Sequence, residues 1–220
     1  MERSFRVGFC VSGGGHLFRA AVVHSEQLAI DPALVILDGR AQEDLEKFCG
    51  DRAIRCVRLP HELPNDQFNE KITSLCADAE LDLLCLTFDK ILPPELVTHY
   101  RGRIINVHMG LLPAFKGLNA LQRAVSHNVR YAGATIHEVD EKIDHGAQIA
   151  QCIVGIRRLE TAEQLGGRLF GLLRSMFLQV IAWYSHGRVT KDEDGHIWVR
   201  DAVYGEIPIS PSIEMTCPER

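Results

Sequence analysis

Residues 103–117, RIINVHMGLLPAFKG, form the stretch around which the rest of the chain is organised. Apolar residues on either side of two polar ones predict a short buried strand over residues 104–108, with Asn106 and His108 at alternate positions. Side chains at i and i+2 point to the same face of a strand, so both are expected near its carboxyl end on one side. An amide can donate a hydrogen bond to a developing oxyanion, and an imidazole can carry a proton. A strand end whose polar side chains are solvated or tie down a loop fits the same residues.

The sequence before this stretch alternates strand patterns with helical ones. Such alternation predicts right-handed crossovers and an α/β fold, with a mostly parallel twisted sheet and helices on both faces. Ligands of such sheets gather beyond the carboxyl ends of the strands. The loops at 13–15, 88–92 and 106–108 are all expected at that edge, which predicts a site there without any motif. The predicted strands are Phe5–Val11, Ala33–Leu37, Ala53–Leu59 and Leu81–Thr87.

The first predicted strand ends at a glycine-rich turn. Ser12 and three glycines precede a helical pattern that runs from His16 to about Ala29. Backbone N–H groups at such a helix start can receive an anion. Glycine turns of this kind also simply allow tight packing, and both interpretations stay open.

The second half of the chain is expected to fold onto the same sheet. A loop at Asp140–Gly146 is predicted between two strands, and a long helix is expected to end at Gly187, with its apolar stripe in the core. We predict a catalytic domain over residues 1–187. The tail at 188–220 is expected to hold a small hairpin near residues 196–199, to show little other order, and to pack on or extend the same domain. The predicted elements are a helix at 118–127, strands at 132–139 and 147–156, and a helix from 160 or 161 to about 186.

Composition narrows the class of protein. The 220 residues carry a net charge of −5, with a pI near 6.1, so no global basic field attracts nucleic acid or an anionic membrane. Seven cysteines without a Cys-x-x-Cys pair indicate thiols in a reducing compartment. No apolar run of membrane-spanning length and no signal peptide stand out, so a cytoplasmic protein is predicted.

Two blocks of sequence resemble those of the folate-dependent formyltransferases, most closely the small glycinamide ribonucleotide type. Asn106-x-His108 is followed by Leu-Leu-Pro at 111–113 and by Gly117, as in the family's signature. The block at 133–146, GATIHEVDEKIDHG, is similar to the family's loop with its catalytic aspartate. The resemblance is strongest over residues 80–150 and continues from residue 5 to about 187.

The resemblance implies a Rossmann-like formyltransferase fold and formyl transfer from 10-formyltetrahydrofolate, bound as a co-substrate. It implies that Asn106 donates to the oxyanion, that His108 stabilises that charge, and that Asp144 holds His108 and relays a proton. Without the resemblance, Asp144 is a turn aspartate, and residues 88–93 are a loop closed by prolines. The residues implied for folate binding are Phe88, Lys90, Ile91, Leu92, Asp140, Glu141 and Ile143.

The acceptor side departs from the glycinamide type. Its Ser-Asn pair after the glycine loop is replaced by His16-Leu17, and its glutamate in the last long helix by Leu173. His145 stands where small members usually have glycine, so it either reaches the acceptor or points to solvent. We therefore predict the usual formyl donor with an altered amine acceptor, and glycinamide ribonucleotide as the second candidate. The residues expected to bind the acceptor are Gly13, Gly14, Gly15, His16 and His145.

The altered acceptor is expected to be a small molecule: an amino sugar nucleotide, an amino acid, or a hydroxylamine-bearing amino acid such as a hydroxyornithine. Transfer RNA is not expected, because the chain is acidic and lacks the length for the second domain that such enzymes use. We expect folate and the amine as partners, with no nucleic acid and no membrane, and a homodimer is compatible with the sequence.

Two other functions are considered: hydrolysis of formyl-folate, and a folate- or nucleotide-binding module without turnover. A metal site is a third possibility to weigh, because His108, His137, Asp144 and His145 can cluster. However, the sequence contains no His-x-His or His-Glu-x-x-His spacing, so no metal is expected. His137, on the strand before the loop, is expected to be structural.

Overall fold

The computed structural model describes residues 3–60 and 62–215. The chain forms two compact units, one up to Asn106 and one from Val107 onward. The strands are β1 Phe5–Val11, β2 Ile30–Leu37, β3 Cys56–Arg58, β4 Leu83–Thr87, β5 Ile104–His108, β6 Tyr131–Glu138, β7 Gln148–Gly155, β8 Val189–Lys191, β9 Ile197–Val199 and β10 Ile209–Ser210. The helices are α1 His16–Val23, α2 Asp44–Gly50, α3 Asn65–Ala79, α4 Pro94–His99, α5 Ala120–Ser126 and α6 Ala162–Ser185.

The first unit is built on parallel strands in the order β3-β2-β1-β4-β5, joined by helices. The chain first adds strands on one side of β1 and then returns to add β4 on the other side. This reversal places a topological switch point between β1 and β4, where open α/β sheets bind ligands beyond the carboxyl ends of the strands. The predicted mostly parallel α/β fold is confirmed.

Strands β1 and β4 are apolar over almost their whole length because each has a strand on both sides and core on both faces. Gly8 in β1 allows a close approach, since a Cβ there would lie 2.4 Å from a side-chain carbon of Leu81. The helix predicted to reach Ala29 ends at Val23 instead. Residues 24–29 form hydrogen-bonded turns that end at Ala29, whose φ of +53° is incompatible with a helix.

The second unit contains an antiparallel sheet in the order β10-β7-β6 and a separate β8-β9 hairpin. The predicted hairpin near residues 196–199 is therefore present. The tail is more ordered than expected, because β10 pairs with Gln151 and Cys152 of β7. Residues 216–220, including Cys217, lie outside the described residues. The division at residue 187 stays a prediction.

Helix α6 is the long core helix of the second unit. Its N-terminus has a capping box, in which Thr161 Oγ1 accepts from Gln164 N and Gln164 Oε1 accepts from Thr161 N. Its predicted apolar stripe is buried at Leu165, Leu169 and Leu173. By length and composition the helix could cross a membrane, so the expectation that no apolar segment is long enough was wrong. A buried core helix meets the same criterion, and 56% of the apolar window of α6 is buried.

Candidate active site

His108 and Asp144 meet in the second unit. His108 ends β5, and Asp144 lies in the loop between β6 and β7, with a left-handed φ of +54°. His108 Nδ1 lies 3.3 Å from Asp144 Oδ2, and the two side chains are only 8% and 7% exposed. Asp140, not Asp144, is the turn aspartate of this loop, since its Oδ1 accepts from Lys142 N at 2.9 Å. Asp144 is thus a nearly buried carboxylate held against an imidazole.

His137 is the third member of this cluster, a place that the sequence did not predict for it. Its Nε2 lies 3.5 Å from Asp144 Oδ1, and its side chain is 3% exposed. Its Nδ1 lies 2.7 Å from the carbonyl oxygen of Glu138, so Nδ1 must carry the hydrogen. Burial lowers the pKa of His137 and outweighs the opposing effects of the Glu138 carbonyl and Asp144. Burial therefore favours the neutral ring of His137, and its Nε2 faces the carboxylate.

The ring of His108 has an acceptor beside each of its two nitrogens. His108 Nε2 lies 3.0 Å from the carbonyl oxygen of Phe115, and Nδ1 faces Asp144. Both neighbours are acceptors, so a hydrogen on either ring nitrogen of His108 has a partner. Asp144 accordingly lies between two imidazole rings, and burial favours the neutral form of His137. Such an arrangement can take up a proton and pass it on.

The loop after β5 supplies backbone groups to the cluster. Gly117 N donates to Asp144 Oδ2 at 2.7 Å. The carbonyl of Lys116, in the same peptide unit, accepts from Arg123 of α5, and Arg123 Nη2 also donates to the Phe115 carbonyl at 2.7 Å. The N–H and C=O of a trans peptide point in opposite directions, so holding the carbonyl on α5 turns the N–H toward Asp144.

Thr135 fixes the start of this loop. Its buried hydroxyl donates to Gly110 O at 2.7 Å and accepts from Leu112 N at 3.1 Å. Gln151 Nε2 donates to Leu112 O at 2.9 Å. Gly110 leaves room for the imidazole of His108, since a Cβ there would lie 2.8 Å from Nε2. Strands β6 and β7 therefore position the turn that contacts His108.

Several of the other predicted residues lie where the strands of the first unit end. Gly13–Gly15 follow β1, Phe88–Leu92 follow the neighbouring β4, and Asn106 lies near the end of β5. Asn106 precedes His108 by two residues on the same strand, so strand alternation puts both side chains on one face. The loops after β2 and β4 are joined by Arg40, which pairs with Asp38 and Asp89 at 2.8 Å each.

The predicted folate residues differ in what they expose. Phe88 and Leu92 are only 9% and 6% exposed, so their side chains belong to the core. Lys90 Nζ lies 5.7 Å from the centre of the Phe68 ring. By contrast, Ile91 in the first unit is 70% exposed and Ile143 in the second is 62% exposed. Each presents an apolar surface, and Asp140 and Glu141 are also exposed.

The structure shows the surroundings of His16 and Leu173, two positions at which the sequence departs from the glycinamide type. The ring of His16 folds over the glycine turn, since a Cβ on Gly14 would lie 2.7 Å from His16 Nε2. Gly13 and Gly15 have φ values of +58° and +61°. Leu173 is 2% exposed, so its side chain belongs to the core and offers nothing to an amine.

His145 lines a groove of about 610 Å³. The groove is also lined by Gln148, His196, Trp198 and Tyr204. Within the described ranges, the metal-ligand types that come within reach of one another are Asp192, Asp194 and His196, exposed at the hairpin turn. Both Asp192 oxygens already accept hydrogen bonds, from His196 N and Trp198 Nε1, at 2.8 Å each.

Comparison with known proteins identifies the family of this chain. The formyl transferase family model matches residues 5–181. The chain belongs to the formyl transferase family. It is 30% identical over 209 residues to the human trifunctional purine biosynthetic protein adenosine-3, covering 91% of this chain and 20% of that protein. The chain thus spans about one fifth of the length of that curated relative.

Solved structures of the family match over most of the chain. The phosphoribosylglycinamide formyltransferase of Anaplasma phagocytophilum is 28% identical, with a TM-score of 0.81 over 90% of this chain and 95% of that one. A formyltetrahydrofolate deformylase of Pseudomonas syringae is 26% identical, also with a TM-score of 0.81, over 90% of this chain and 67% of that one. The predicted resemblance to folate-dependent formyltransferases, closest to the glycinamide ribonucleotide type, is confirmed.

Proposed function

We propose that this formyl transferase family member transfers a formyl group from 10-formyltetrahydrofolate to the amine, or hydroxylamine, of a small-molecule acceptor. The observation that carries the proposal is the nearly buried Asp144 carboxylate between His108 and His137. A carboxylate between two imidazole rings is suited to moving a proton. Such a cluster goes beyond what a binding module needs.

In the proposed reaction, the acceptor nitrogen forms a bond to the formyl carbon, whose carbonyl becomes an oxyanion. The amide of Asn106 donates to that oxyanion, a contribution typically worth about 10²–10³ in rate. His108, held between Asp144 and the Phe115 carbonyl, stabilises the same charge. The bond to the carrier nitrogen then breaks and the carbonyl re-forms.

Two protons must move for this reaction to balance. The attacking nitrogen loses one proton and the carrier nitrogen gains one. Asp144 accepts the first, directly or through water, and His137 Nε2 is placed to share it. Proton transfer by a positioned side chain is typically worth about 10²–10⁴ in rate. Asp144, which then carries a proton, returns one to the leaving nitrogen, so that the reaction neither gains nor loses a proton overall.

The residues proposed to bind the folate follow β4 or lie in the loop between β6 and β7. The backbone of Phe88–Leu92 follows β4 at the switch point of the parallel sheet, and Ile91 presents apolar surface there. We propose backbone contacts at Lys90 and Leu92 with the pterin. Asp140, Glu141 and Ile143 are proposed as further folate contacts.

For the acceptor, we propose an amine other than glycinamide ribonucleotide, with an amino sugar nucleotide or an amino acid such as a hydroxyornithine as candidates. Two features support this choice: His16 covers the glycine turn, and the buried Leu173 provides no carboxylate for a substrate ammonium. The name of the similar Anaplasma phagocytophilum structure, a phosphoribosylglycinamide formyltransferase, makes glycinamide ribonucleotide the second candidate.

Hydrolysis of formyl-folate is a second candidate function, favoured by the equally high structural similarity to a formyltetrahydrofolate deformylase. Water would replace the amine, and Asp144 would then accept a proton from water. The oxyanion contacts would be unchanged.

One assay separates these functions. The protein is incubated with 10-formyltetrahydrofolate alone and with each of glycinamide ribonucleotide, an amino sugar nucleotide and N-hydroxyornithine, and tetrahydrofolate release is followed. Release that needs an amine other than glycinamide ribonucleotide supports the proposal. Release without any amine identifies a hydrolase. Folate binding without release under any condition identifies a binding module and overturns the enzymatic proposal.

A further inference from the structure

Glu138 carries a nearly buried carboxylate whose cation comes from the C-terminal hairpin. Its side chain is 10% exposed, and Oε2 lies 2.7 Å from Nζ of Lys191. Lys191 is the last residue of β8, 53 residues further along the chain. A buried carboxylate is strongly destabilising unless it is paired. The ion pair therefore restricts where the Glu138 side chain can lie.

The backbone N–H and carbonyl of Glu138 both contact the end of the loop that contains Asp144. Glu138 N donates to Ala147 O at 2.8 Å and closes the loop that contains Asp144. Its carbonyl accepts from His137 Nδ1 at 2.7 Å. The carbonyl also packs directly on Gly146, where an added Cβ would lie 1.8 Å from the oxygen. A shift of Glu138 would thus move its contacts with His137 and with the loop together.

The Glu138 carbonyl also decides which nitrogen of His137 carries the hydrogen. With Nδ1–H bound to that carbonyl, Nε2 has a lone pair facing Asp144 Oδ1. If the carbonyl turned away, the hydrogen could move to Nε2 and bond to Asp144. The ring would then occupy the carboxylate and could no longer accept its proton.

We propose that Lys191 is a positioning residue for the reaction: by anchoring the Glu138 side chain, it holds the carbonyl that keeps His137 in its Nδ1–H form beside Asp144. This inference rests on the proposed function, because it assigns His137 and Asp144 to proton transfer. It gives the C-terminal hairpin, which supplies no member of the cluster of His108, Asp144 and His137, an effect on turnover. A simpler alternative is that the ion pair only pins the hairpin to β6.

The test compares Lys191→Met, which keeps the chain length and removes the charge, with Lys191→Arg, which keeps the charge. Lys71→Met, at an exposed position on α3, controls for the loss of one positive charge. Glu138→Gln and the double variant complete a double-mutant cycle. Side-chain ¹⁵N shifts of labelled histidine, assigned with His137→Gln, report the tautomer of His137 whether or not the enzyme turns over.

We expect Lys191→Met to move the His137 nitrogen shifts away from the Nδ1–H form. We expect kcat to fall between about 10- and 100-fold, with the KM for formyl-folate within about twofold. Lys191→Arg should restore both readouts, Lys71→Met should change neither, and the loss in the double variant should be no larger than in Lys191→Met. A lower Tm with unchanged His137 shifts and kcat would mean that the pair only pins the hairpin, and would overturn the inference. If wild type transfers no formyl group, the proposed function fails, whereas the ¹⁵N shifts still test the role of Lys191.

Discussion

Asp144 Oδ1 lies 3.5 Å from Nε2 of His137, a nitrogen that carries the lone pair of the neutral ring that burial favours. Two acceptors that face each other at this separation lack a proton between them. A proton that arrives on Asp144 therefore finds a second group ready to share it. This relationship underlies the first two predictions.

Replacing Asp144 with asparagine should abolish proton uptake and preserve the fold. Asparagine has nearly the same shape and tolerates the left-handed φ of +54° at this position. We expect turnover of formyl-folate to fall about 10²–10⁴-fold, with circular dichroism and Tm close to wild type. The control is Asp78→Asn, an exposed carboxylate on α3. Near-normal turnover of Asp144→Asn would remove Asp144 from the mechanism.

His137 should make the stability of the protein depend on pH. Burial lowers its pKa in the folded state, so below about 6.5 the unfolded chain binds more protons than the folded one. The free energy of unfolding should therefore fall as pH falls through 6.5, by at most about 1.4 kcal/mol per pH unit from this residue. The loss should level off below the folded-state pKa. Urea unfolding at several pH values measures the slope.

The variant His137→Gln should have a shallower slope between pH 7 and 5 than wild type. His24→Gln, in the first unit, is the matched substitution for comparison. Equal slopes for wild type and His137→Gln would show that His137 is not a neutral buried ring.

Leu173→Glu should destabilise the protein without creating use of glycinamide ribonucleotide. Leu173 is 2% exposed, so a glutamate there would bury an uncompensated charge, at a cost of about 3 kcal/mol or more. Leu173→Met, which conserves volume, should cost less than about 1.5 kcal/mol. Chemical unfolding and formyl-transfer assays measure both effects. A large gain in turnover with glycinamide ribonucleotide would contradict the buried placement of this residue.

Gly146→Ala should impair catalysis through backbone displacement. The new methyl group would lie 1.8 Å from the carbonyl oxygen of Glu138, so the loop that holds Asp144 must move. A misplacement of about 1 Å can cost about 10²-fold in rate. Gly167→Ala is the matched control, because the space around Gly167 in α6 is open and alanine there should stabilise the helix by up to about 1 kcal/mol. Equal kcat values for the two variants would show that the loop tolerates the displacement.

Much of the fold could be predicted because apolar runs between glycines mark buried strands wherever they occur. Phe5–Val11 and Ile104–His108 are strands over the predicted residues. The contact between His108 and Asp144 could be anticipated only because two sequence blocks resembled a known family. Periodicity specifies the face on which a residue lies, but not its distant partner. The end of α1 was misplaced because residues 24–29 keep a helical pattern while their backbone turns.

Several contacts of the cluster could not be predicted from the sequence, and the reasons are physical. The groups offered by Phe115 and Gly117 are a carbonyl and an N–H, which every residue has, so no residue type marks them. His137 was assigned a structural role because a histidine inside an apolar strand is usually buried among core residues. The signal that could have found it is the hairpin itself, since an antiparallel return brings a short loop back over the last residues of the strand.

The hydrogen bonds of the Lys116–Gly117 peptide place a guanidinium at one end of an amide and a carboxylate at the other. The amide is thereby polarised from both sides, and Arg123 influences Asp144 through an intervening amide without touching it. Helix α5 thus offers a remote electrostatic control. A designer who wished to change the polarity of the amide beside Asp144 without altering the shape of the cluster would begin with Arg123.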